Sequence, residues 1–258
     1  MISIVMLVHN AKDFTKHSLK TISKTSDSLD TELIVVDNNS NQSTRKMLLK
    51  MQKKGIIDKL ILLKENTMFA KGNNIGSHLC SENSEHILLI NSDIEIRNKE
   101  WLKLIYGIHS RGATCLGVCE NNPYTRGDGF CFLIDKDLYL KYQLDESFEW
   151  WWSITKLEAI LMRDGFTVKA VKNYENILYH FGGMSGKAWK NAMGLKIEGK
   201  EIESWFNKNQ ISIIEKLSIN KKDNINVGLK FKINFVIFYK NIKNNFKNII
   251  KGIIKKIK

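Results

Sequence analysis

The sequence predicts an α/β fold in which a mixed, mostly parallel β-sheet carries helices on both faces. Two observations lead to this prediction. Short apolar runs alternate with segments of helical periodicity through the first half of the 258-residue chain, and a cluster of polar residues follows each run. Strands that alternate with helices form parallel sheets covered on both faces, and a hydrophobic content of 43% is enough to bury such a core.

The first half contains four predicted strands and three predicted helices. The apolar runs are short and lack polar alternation, so we expect strands that are buried on both faces. The predicted strands span residues 2–8, 33–36, 60–63 and 87–90, and the predicted helices span residues 14–23, 43–53 and 71–80.

The second half continues the sheet with a less regular pattern. Its predicted helix stops at Gly165, because glycine commonly terminates helices. We expect the sheet to close near residue 190. The predicted strands are residues 115–119, 130–134 and 167–171, and the predicted helix is residues 154–163.

Polar residues follow each of the first four predicted strands. Singly, an Asn or Asp in this position is a turn residue or a helix cap. Together they predict a site, because ligands of open parallel sheets bind beyond the carboxyl ends of the strands. The four clusters are His9-Asn10, Asp37-Asn38-Asn39-Ser40, Glu65-Asn66 and Asn91-Ser92-Asp93.

Positive charge is concentrated at the end of the chain. The formal net charge is +13, and residues 221–258 contain eleven Lys and one Asp, which is +10 of that total. Such a segment is suited to an anionic surface. We therefore divide the chain into an α/β domain over residues 1–190 and a helical, Lys-rich extension over residues 191–258.

Six motifs occur in an order and spacing that resembles the family 2 glycosyltransferases of the GT-A fold, the group that includes bacterial cell-surface rhamnosyltransferases. The resemblance covers roughly residues 1–186. The motifs are SIVMLVHN (3–10), ELIVVDNNS (32–40), NTMFAKGNNIG (66–76), ILLINSDIEI (87–96), GDGFCFLI (127–134) and YHFGGMSG (179–186).

The resemblance implies a nucleoside-diphosphate-sugar donor, a UDP- or dTDP-sugar, bound at the first four motifs. It assigns the nucleoside to Asp37 and to the chain around Asn10, and it implies a small-residue helix start beside the nucleotide. Met68 departs from the glycine common at that helix start. The donor-binding residues implied are Asn10, Asp37, Asn39, Asn66, Ala70, Gly72, Asn73, Asn91 and Ser92.

The segment Asn91-Ser92-Asp93 corresponds to the DxD metal motif of the family. The resemblance implies that Asp93 holds Mn²⁺ or Mg²⁺ and that His180 reaches the metal or the diphosphate. Asn91 supplies an oxygen without a charge. The alternative for His180 is a structural role.

The acidic pair that supplies the catalytic base in the family falls on Ser153 and Ile154, and neither can accept the proton. We expect Glu149 to be the base, with Asp128 as the second candidate. Glu158 is expected on a solvated helix face. Trp150 to Trp152 cannot all enter one core, so at least one is expected at the acceptor site.

The end of the chain has the pattern of a basic amphipathic helix. From Phe231 to Ile257 apolar residues recur every three or four positions, with Lys between them. This predicts binding to an anionic membrane surface, with dimerisation or docking on the catalytic domain as alternatives. Nucleic acid is not expected, because the segment has no Arg or Trp.

The expected location is the cytoplasm, at the inner face of the cell membrane. The first apolar run lacks the basic flank and length of a signal peptide, and the four cysteines, without CxxC spacing, are expected to be reduced thiols.

The predicted function is metal-dependent, inverting transfer of a hexose-type sugar to a hydroxyl of a lipid-linked or surface glycan. The alternative is a non-catalytic subunit that binds sugar nucleotides, because the acidic pair is missing.

Overall fold

The computed structural model describes residues 1–25, 29–120, 124–184 and 188–225, in which helices flank a central sheet. The strands are β1 (Ile2–Val8), β2 (Thr31–Asp37), β3 (Lys59–Leu62), β4 (His86–Asn91), β5 (Ile94–Ile96), β6 (Gly112–Leu116), β7 (Val118–Cys119), β8 (Arg126–Gly127), β9 (Cys131–Asp135), β10 (Thr167–Asn173), β11 (Leu178–His180) and β12 (Ser212–Lys216). The helices are α1 (Lys12–Ser23), α2 (Gln42–Lys53), α3 (Met68–Ser77), α4 (Trp101–Ile108), α5 (Lys136–Tyr142), α6 (Trp152–Arg163) and α7 (Gly199–Phe206), with short 3₁₀ segments at Ala188–Asn191 and Lys221–Asp223.

The main sheet has eight strands in the order β12-β10-β6-β9-β4-β1-β2-β3. All neighbouring pairs are parallel except those of β9, which runs antiparallel to both β4 and β6. Two small antiparallel sheets, β11 with β5 and β7 with β8, lie outside it. The predicted fold class, a mixed and mostly parallel sheet in an α/β chain, is confirmed.

The buried faces of the strands explain why the apolar runs lack polar alternation. In β1, Ile4, Val5 and Met6 are all at most 1% exposed, so side chains on both faces are covered. The register pairs Val5 with Ile34 of β2 and with Leu89 of β4, which are equally buried. The core therefore lies along the middle of the sheet.

Gly117 divides the strand predicted over residues 115–119 into β6 and β7. Its φ of +91° is a left-handed conformation that glycine adopts readily, and a Cβ there would lie 3.0 Å from the Asp128 Cβ atom. Its amide donates to Val171 O and its carbonyl accepts from Asp128 N. The break therefore brings the segment of Asp128 against the end of β6.

The compact part of the chain extends to Asn224, beyond the boundary expected near residue 190. The strand β12 pairs in parallel with β10 and forms the edge of the main sheet. Helix α7 packs on α6 and buries Ile202 and Phe206 completely. Residues of the expected extension thus complete the sheet and its core.

The amphipathic helix predicted from residue 231 onward lies outside the described residues. Among the residues that are described, none of the helices combines the length and apolar character needed to cross a membrane.

Candidate functional site

A cavity of about 390 Å³ opens at the edge of the sheet where the parallel strands end. The segments after β1, β2 and β3 contribute His9, Asn38 and Asn66 to its wall, and β4 contributes its last residue, Asn91, so the predicted convergence of four strand ends is observed. Six of the residues predicted from the sequence line this cavity: Asn66, Asn91, Ser92, Asp93, Asp128 and His180.

Asn91, Asp93 and His180 come together at the floor of the cavity. Strand β11 pairs with β5 and sets His180 opposite Ile94, next to Asp93. The His180 Nε2 atom lies 3.3 Å from Asp93 Oδ1 and 3.3 Å from Asn91 Nδ2. The ring of Phe130 stacks on the imidazole, with ring centroids 4.4 Å apart, and fixes its plane.

The turn that carries Asp93 is held from behind by α1. Ser18 Oγ accepts from Ile94 N at 3.0 Å and lies within hydrogen-bond distance of the carbonyl oxygens of Ser92 and Ile94. Asp93 Oδ2 accepts from Met184 N at 3.2 Å, and the Asp93 carbonyl accepts from Phe181 N. The carboxylate is therefore oriented before any ligand arrives.

This group of side chains fits a divalent cation. Neighbouring ligands of an octahedral ion with bonds of about 2.1 Å are separated by about 3 Å, close to the separation of Asp93 Oδ1 and His180 Nε2. Rotating the Asn91 amide presents its oxygen to the same point. One carboxylate, one amide and one imidazole suit Mn²⁺ or Mg²⁺ when phosphate oxygens complete the coordination.

Asp128 is a partly buried carboxylate in the cavity wall. It precedes Gly129 and Phe130 in the connection between β8 and β9, and its amide donates to Gly117 O. Burial raises the pKa of its carboxyl, and the nearby His180 and the backbone amides of Phe130 and Gly129 partly oppose that rise. A carboxylate with a raised pKa is a stronger proton acceptor.

Glu149, the first candidate for the base, points away from the cavity. Its Oε2 accepts from Met193 N at 2.6 Å, and its own amide donates to Met193 O at 3.2 Å. Its carbonyl accepts from Phe69 N and Ala70 N at the start of α3. Glu149 does not line the cavity, and its contacts join three segments of chain.

Glu158 is fully buried, and the expectation of a solvated helix face was wrong. Its Oε1 accepts from Cys115 Sγ at 3.4 Å and its Oε2 accepts from Gly127 N at 3.3 Å. Burial raises the pKa of Glu158 to about 8, opposed by the Cys115 and Gly127 hydrogen bonds and by Arg126. The helical spacing of α6 did not reveal that both of its sides are covered.

Asp37 is enclosed by its own loop and does not line the cavity. Its carboxylate accepts from Arg45 Nε at 2.7 Å and from Ser40 N at 3.3 Å, and its side chain is 0% exposed. The resemblance assigned the Asp37 carboxylate to the nucleoside. In the structure this carboxylate bonds to Arg45 instead. Sequence reasoning missed Arg45, for which the sequence gives no motif.

Asn10 and Asn39 shape the loops beside the cavity without lining it. Both have positive φ, at 58° and 57°, a conformation that asparagine tolerates. Asn10 Oδ1 accepts from Asn41 N at 2.9 Å, and Asn39 Oδ1 accepts from Arg45 Nη2 at 3.3 Å. Their side chains therefore connect the first two strand ends to each other and to Arg45.

Asn38, which the resemblance did not assign, joins the end of β2 to the start of α3. Its Oδ1 accepts from Thr67 N at 2.7 Å and from Thr67 Oγ1 at 3.0 Å, and its Nδ2 donates to Met68 O. Asn66 Oδ1 accepts from Met68 N at 3.0 Å. Met68 has φ +61°, the left-handed region, which explains why a glycine would suit this position.

Two backbone amides at the start of α3, the helix start that the resemblance places beside the nucleotide, are bonded within the protein. Phe69 N and Ala70 N donate to the Glu149 carbonyl, and Ala70 is fully buried. A Cβ at Gly72 would lie 2.4 Å from Leu7 Cδ1, so this glycine permits close packing of α3 on β1. Asn73 Nδ2 donates to Phe69 O within the helix.

The three consecutive tryptophans separate, as expected. Trp150 and Trp151 line the cavity, and Trp151 is 42% exposed at its mouth. Trp152 instead donates its Nε1 to Leu195 O and packs against the core. Two indole rings are thus available to contact a sugar.

Comparison with known proteins supports the predicted fold and family. Residues 3–129 match the family described as glycosyl transferase family 2. The sequence matches no curated protein at a significant level.

Solved structures extend the comparison beyond residue 129. S. aureus TarS 1-349 is similar with a TM-score of 0.55 and 16% identity, over 80% of this chain and 69% of that chain. The same fragment in complex with UDP-GlcNAc gives a TM-score of 0.54, 15% identity, and 80% and 70% coverage. The mannosyltransferase PcManGT from Pyrobaculum calidifontis, in complex with GDP-Man and Mn²⁺, gives 0.55, 12% identity, and 67% and 55% coverage.

Proposed function

Because the chain is a GT-A glycosyltransferase of family 2, we propose that it transfers one sugar from a nucleoside diphosphate to an acceptor hydroxyl with inversion at the anomeric carbon. The observation that carries this proposal is the meeting of Asn91, Asp93, His180 and Asp128 at one cavity. Asn91, Asp93 and His180 suit a divalent cation bound to the donor diphosphate. Asp128 is suited to accept the proton of the acceptor hydroxyl.

Asp93 and His180 are the residues that would hold Mn²⁺ or Mg²⁺. A divalent cation supplies positive charge to the diphosphate as it leaves. Asp93 is prepared for this role because Met184 N and the α1 contacts of its turn fix its carboxylate. Asn91 Nδ2 lies 3.3 Å from the same His180 Nε2 atom, and rotation of the Asn91 amide would release that nitrogen for the cation and bring the amide oxygen beside it.

Asp128 is proposed as the general base in preference to Glu149. An inverting transfer needs a carboxylate that accepts the proton of the attacking hydroxyl from within the site. Asp128 lies in the cavity wall and burial raises the pKa of its carboxyl, whereas the Glu149 carboxylate is engaged by Met193 N. Trp150 and Trp151 would then hold the acceptor sugar by its apolar face.

The donor is proposed to be a UDP- or dTDP-sugar. Two similar structures are complexes with UDP-GlcNAc and with GDP-Man, which supports a sugar nucleotide in general. A panel of UDP-, dTDP- and GDP-sugars with Mn²⁺ would identify the base and the sugar. Hydrolysis and transfer would be followed by release of the nucleoside diphosphate.

Variants test the assignment of roles. We expect Asp93→Ala to abolish turnover, Asp128→Asn to lower kcat by about 10²-fold or more, and Glu149→Gln to retain most of the activity. Glu149→Gln is the matched control, since it also removes one carboxylate charge, at a residue that does not line the cavity. Saturable donor binding with no turnover on any acceptor, or a full loss in Glu149→Gln alone, would contradict this proposal.

The acceptor is proposed to be a lipid-linked or surface glycan at the inner face of the cell membrane. Support comes from the eleven Lys and one Asp in residues 221–258, with apolar residues at helical spacing. Sedimentation of the full chain with vesicles would test it. We expect binding to vesicles that contain anionic lipid, weaker binding to neutral vesicles, and loss of binding when residues 226–258 are removed.

A further inference from the structure

Two histidines and an aspartate meet at the end of the sheet opposite the cavity. His86 begins β4 and Asp135 ends the antiparallel β9, and the register pairs these two residues directly. His109 follows the last residue of α4 and comes against the same point. Along β4 the cluster is about 16 Å from the cavity residue Asn91, at about 3.3 Å per residue, so it does not belong to the proposed catalytic site.

The ligand atoms of these three residues point toward one another. One ligand atom from each residue lies within 4.8 Å of the other two. His109 Nε2 is 3.5 Å from Asp135 Oδ2, and His86 Nε2 is 3.8 Å from Asp135 Oδ1. Donors around a tetrahedral ion with bonds of about 2.0–2.1 Å are about 3.4 Å apart, so small side-chain shifts would close the cluster.

His109 provides a second, independent observation. Its side chain is 5% exposed, and its Nε2 is a buried nitrogen without a hydrogen-bond partner. Its Nδ1 lies 2.9 Å from Thr114 Oγ1. When Nδ1–H donates to that hydroxyl, the Nε2 lone pair faces the Asp135 carboxylate, and a cation between them satisfies both groups.

We propose that His86, His109 and Asp135 bind a divalent transition metal of the zinc class and so tie α4, β4 and β9 together at this end of the sheet. Two imidazole nitrogens and one carboxylate oxygen form a donor set that zinc accepts, with water as the fourth ligand. The Thr114 hydroxyl and the Gly112 amide, which donates to Asp135 Oδ2 at 2.7 Å, orient the ligands from outside.

Arg111 competes with the metal for Asp135. Its Nη1 lies 3.2 Å from Asp135 Oδ1, and its guanidinium also forms a two-point contact with Asp137. Because Arg111 is 52% exposed and has this second partner, it can move toward Asp137 when a metal binds. Removing Arg111 is therefore expected to strengthen metal binding, a result that misfolding of the variant would not produce.

The test is isothermal titration of the chelator-treated full chain with Zn²⁺. An Asp93→Ala background removes the candidate cation site of the cavity. There we expect one bound Zn²⁺, a loss of affinity of at least about tenfold in His86→Gln and in His109→Gln, and a gain of about tenfold in Arg111→Gln. His78→Gln, which changes an exposed histidine elsewhere, is the control and should bind as tightly as its parent.

Three results of the same titrations would overturn the proposal. These are no Zn²⁺ bound in the Asp93→Ala background, unchanged affinity in His86→Gln and His109→Gln, or weaker binding in Arg111→Gln. Co²⁺ absorption of the Asp93→Ala chain provides a measurement that does not depend on the histidine variants folding. A tetrahedral spectrum supports the site, and an octahedral one contradicts it.

Discussion

Asp128 and Glu149 are both acidic residues near the cavity, and their surroundings give them different chemistry. The raised pKa of Asp128 arises chiefly from burial, while Glu149 accepts a backbone hydrogen bond outside the cavity. The different roles proposed for Asp128 and Glu149 therefore depend on contacts with segments that are distant in sequence.

The pH dependence of turnover should report Asp128. A protonated carboxyl does not accept a proton, so kcat/KM should rise with pH through the pKa of Asp128, above the ordinary Asp value of about 3.9. Initial rates from pH 4 to pH 8 at saturating Mn²⁺ would show this limb. The residual activity of Asp128→Asn should lack it, and a limb unchanged in that variant would assign it to another group.

Glu158 should make the stability of the protein depend on pH. Its pKa is about 8 when folded, above the value of 4.5 for an ordinary glutamate, so folding favours the protonated form. The stabilisation is complete below about pH 4.5, decreases as the pH rises because only the unfolded chain ionises, and is lost above about pH 8. Urea unfolding between pH 5 and pH 8 should show decreasing stability.

Glu158→Gln should flatten that decrease, because the amide does not ionise and can still accept from Gly127 N. The variant should be more stable relative to the wild type at pH 8 than at pH 5. Glu203→Gln, an exposed glutamate on α7, is the matched control and should leave the slope unchanged. Parallel curves for Glu158→Gln and the wild type would show that Glu158 is not protonated in the folded protein.

At the scale of elements, the start of α3 depends on the side chain of the residue that follows β2. Asn38 accepts from Thr67 N and Thr67 Oγ1 and donates to Met68 O. Asn38→Ala would leave these groups without a partner at a buried position and should lower the free energy of unfolding by about 2 kcal/mol. It should also raise KM for the donor, because Asn38, Asn66 and Met68 line the cavity.

Asn39→Gly is the control for this prediction, because glycine also adopts the positive φ of 57° found at this position. Asn39 is exposed, and its side chain accepts one 3.3 Å hydrogen bond from Arg45. Its replacement should change stability by less than about 1 kcal/mol. Equal effects of the two substitutions in thermal unfolding would show that the contacts of Asn38 with α3 contribute little.

Most elements could be predicted from the sequence because strands buried on both faces leave an unmistakable apolar run. The apolar runs do not reveal the burial or the partners of polar side chains, because these depend on how separate elements pack. The burial of Glu158 depends on β6 and β8 covering α6, and the pairing of Asp37 with Arg45 depends on how α2 packs. Apolar periodicity shows which side of an element is covered and gives no information on which polar group it meets.

The residues of the candidate site that lie at strand ends could be predicted from the sequence. Those whose role depends on contacts between distant segments could not. Asn91 and Asp93 follow directly from β4, and the late motif contributes His180. The choice between Asp128 and Glu149 required the contact with Met193. The cluster of His86, His109 and Asp135 arises from the antiparallel register of β4 and β9, which no sequence motif indicates.

For the whole molecule, the last described segments should be essential for folding. Truncation after residue 190 removes α7 and β12, and with them the buried side chains of Ile202, Phe206 and Ile211. The shortened chain should be insoluble or should unfold without cooperativity, because it exposes apolar core and the edge of β10.

Truncation after residue 225 is the matched control, since it keeps the compact unit that ends at Asn224. That chain should remain soluble and unfold in a single transition by circular dichroism. Cooperative folding of the 1–190 fragment at wild-type stability would instead support a domain boundary near residue 190.

The position of β12 also affects how the chain folds while it is being made. Its partner β10 ends at Asn173 and β12 begins at Ser212, so β10 is complete on the ribosome before its outer neighbour exists. At roughly 5–20 residues per second, the intervening stretch of about 40 residues takes about 2–8 seconds to synthesise. Until β12 has been made and has left the ribosome, β10 can pair with β6 alone, and its outer edge is the part of the nascent chain that a chaperone has most to protect.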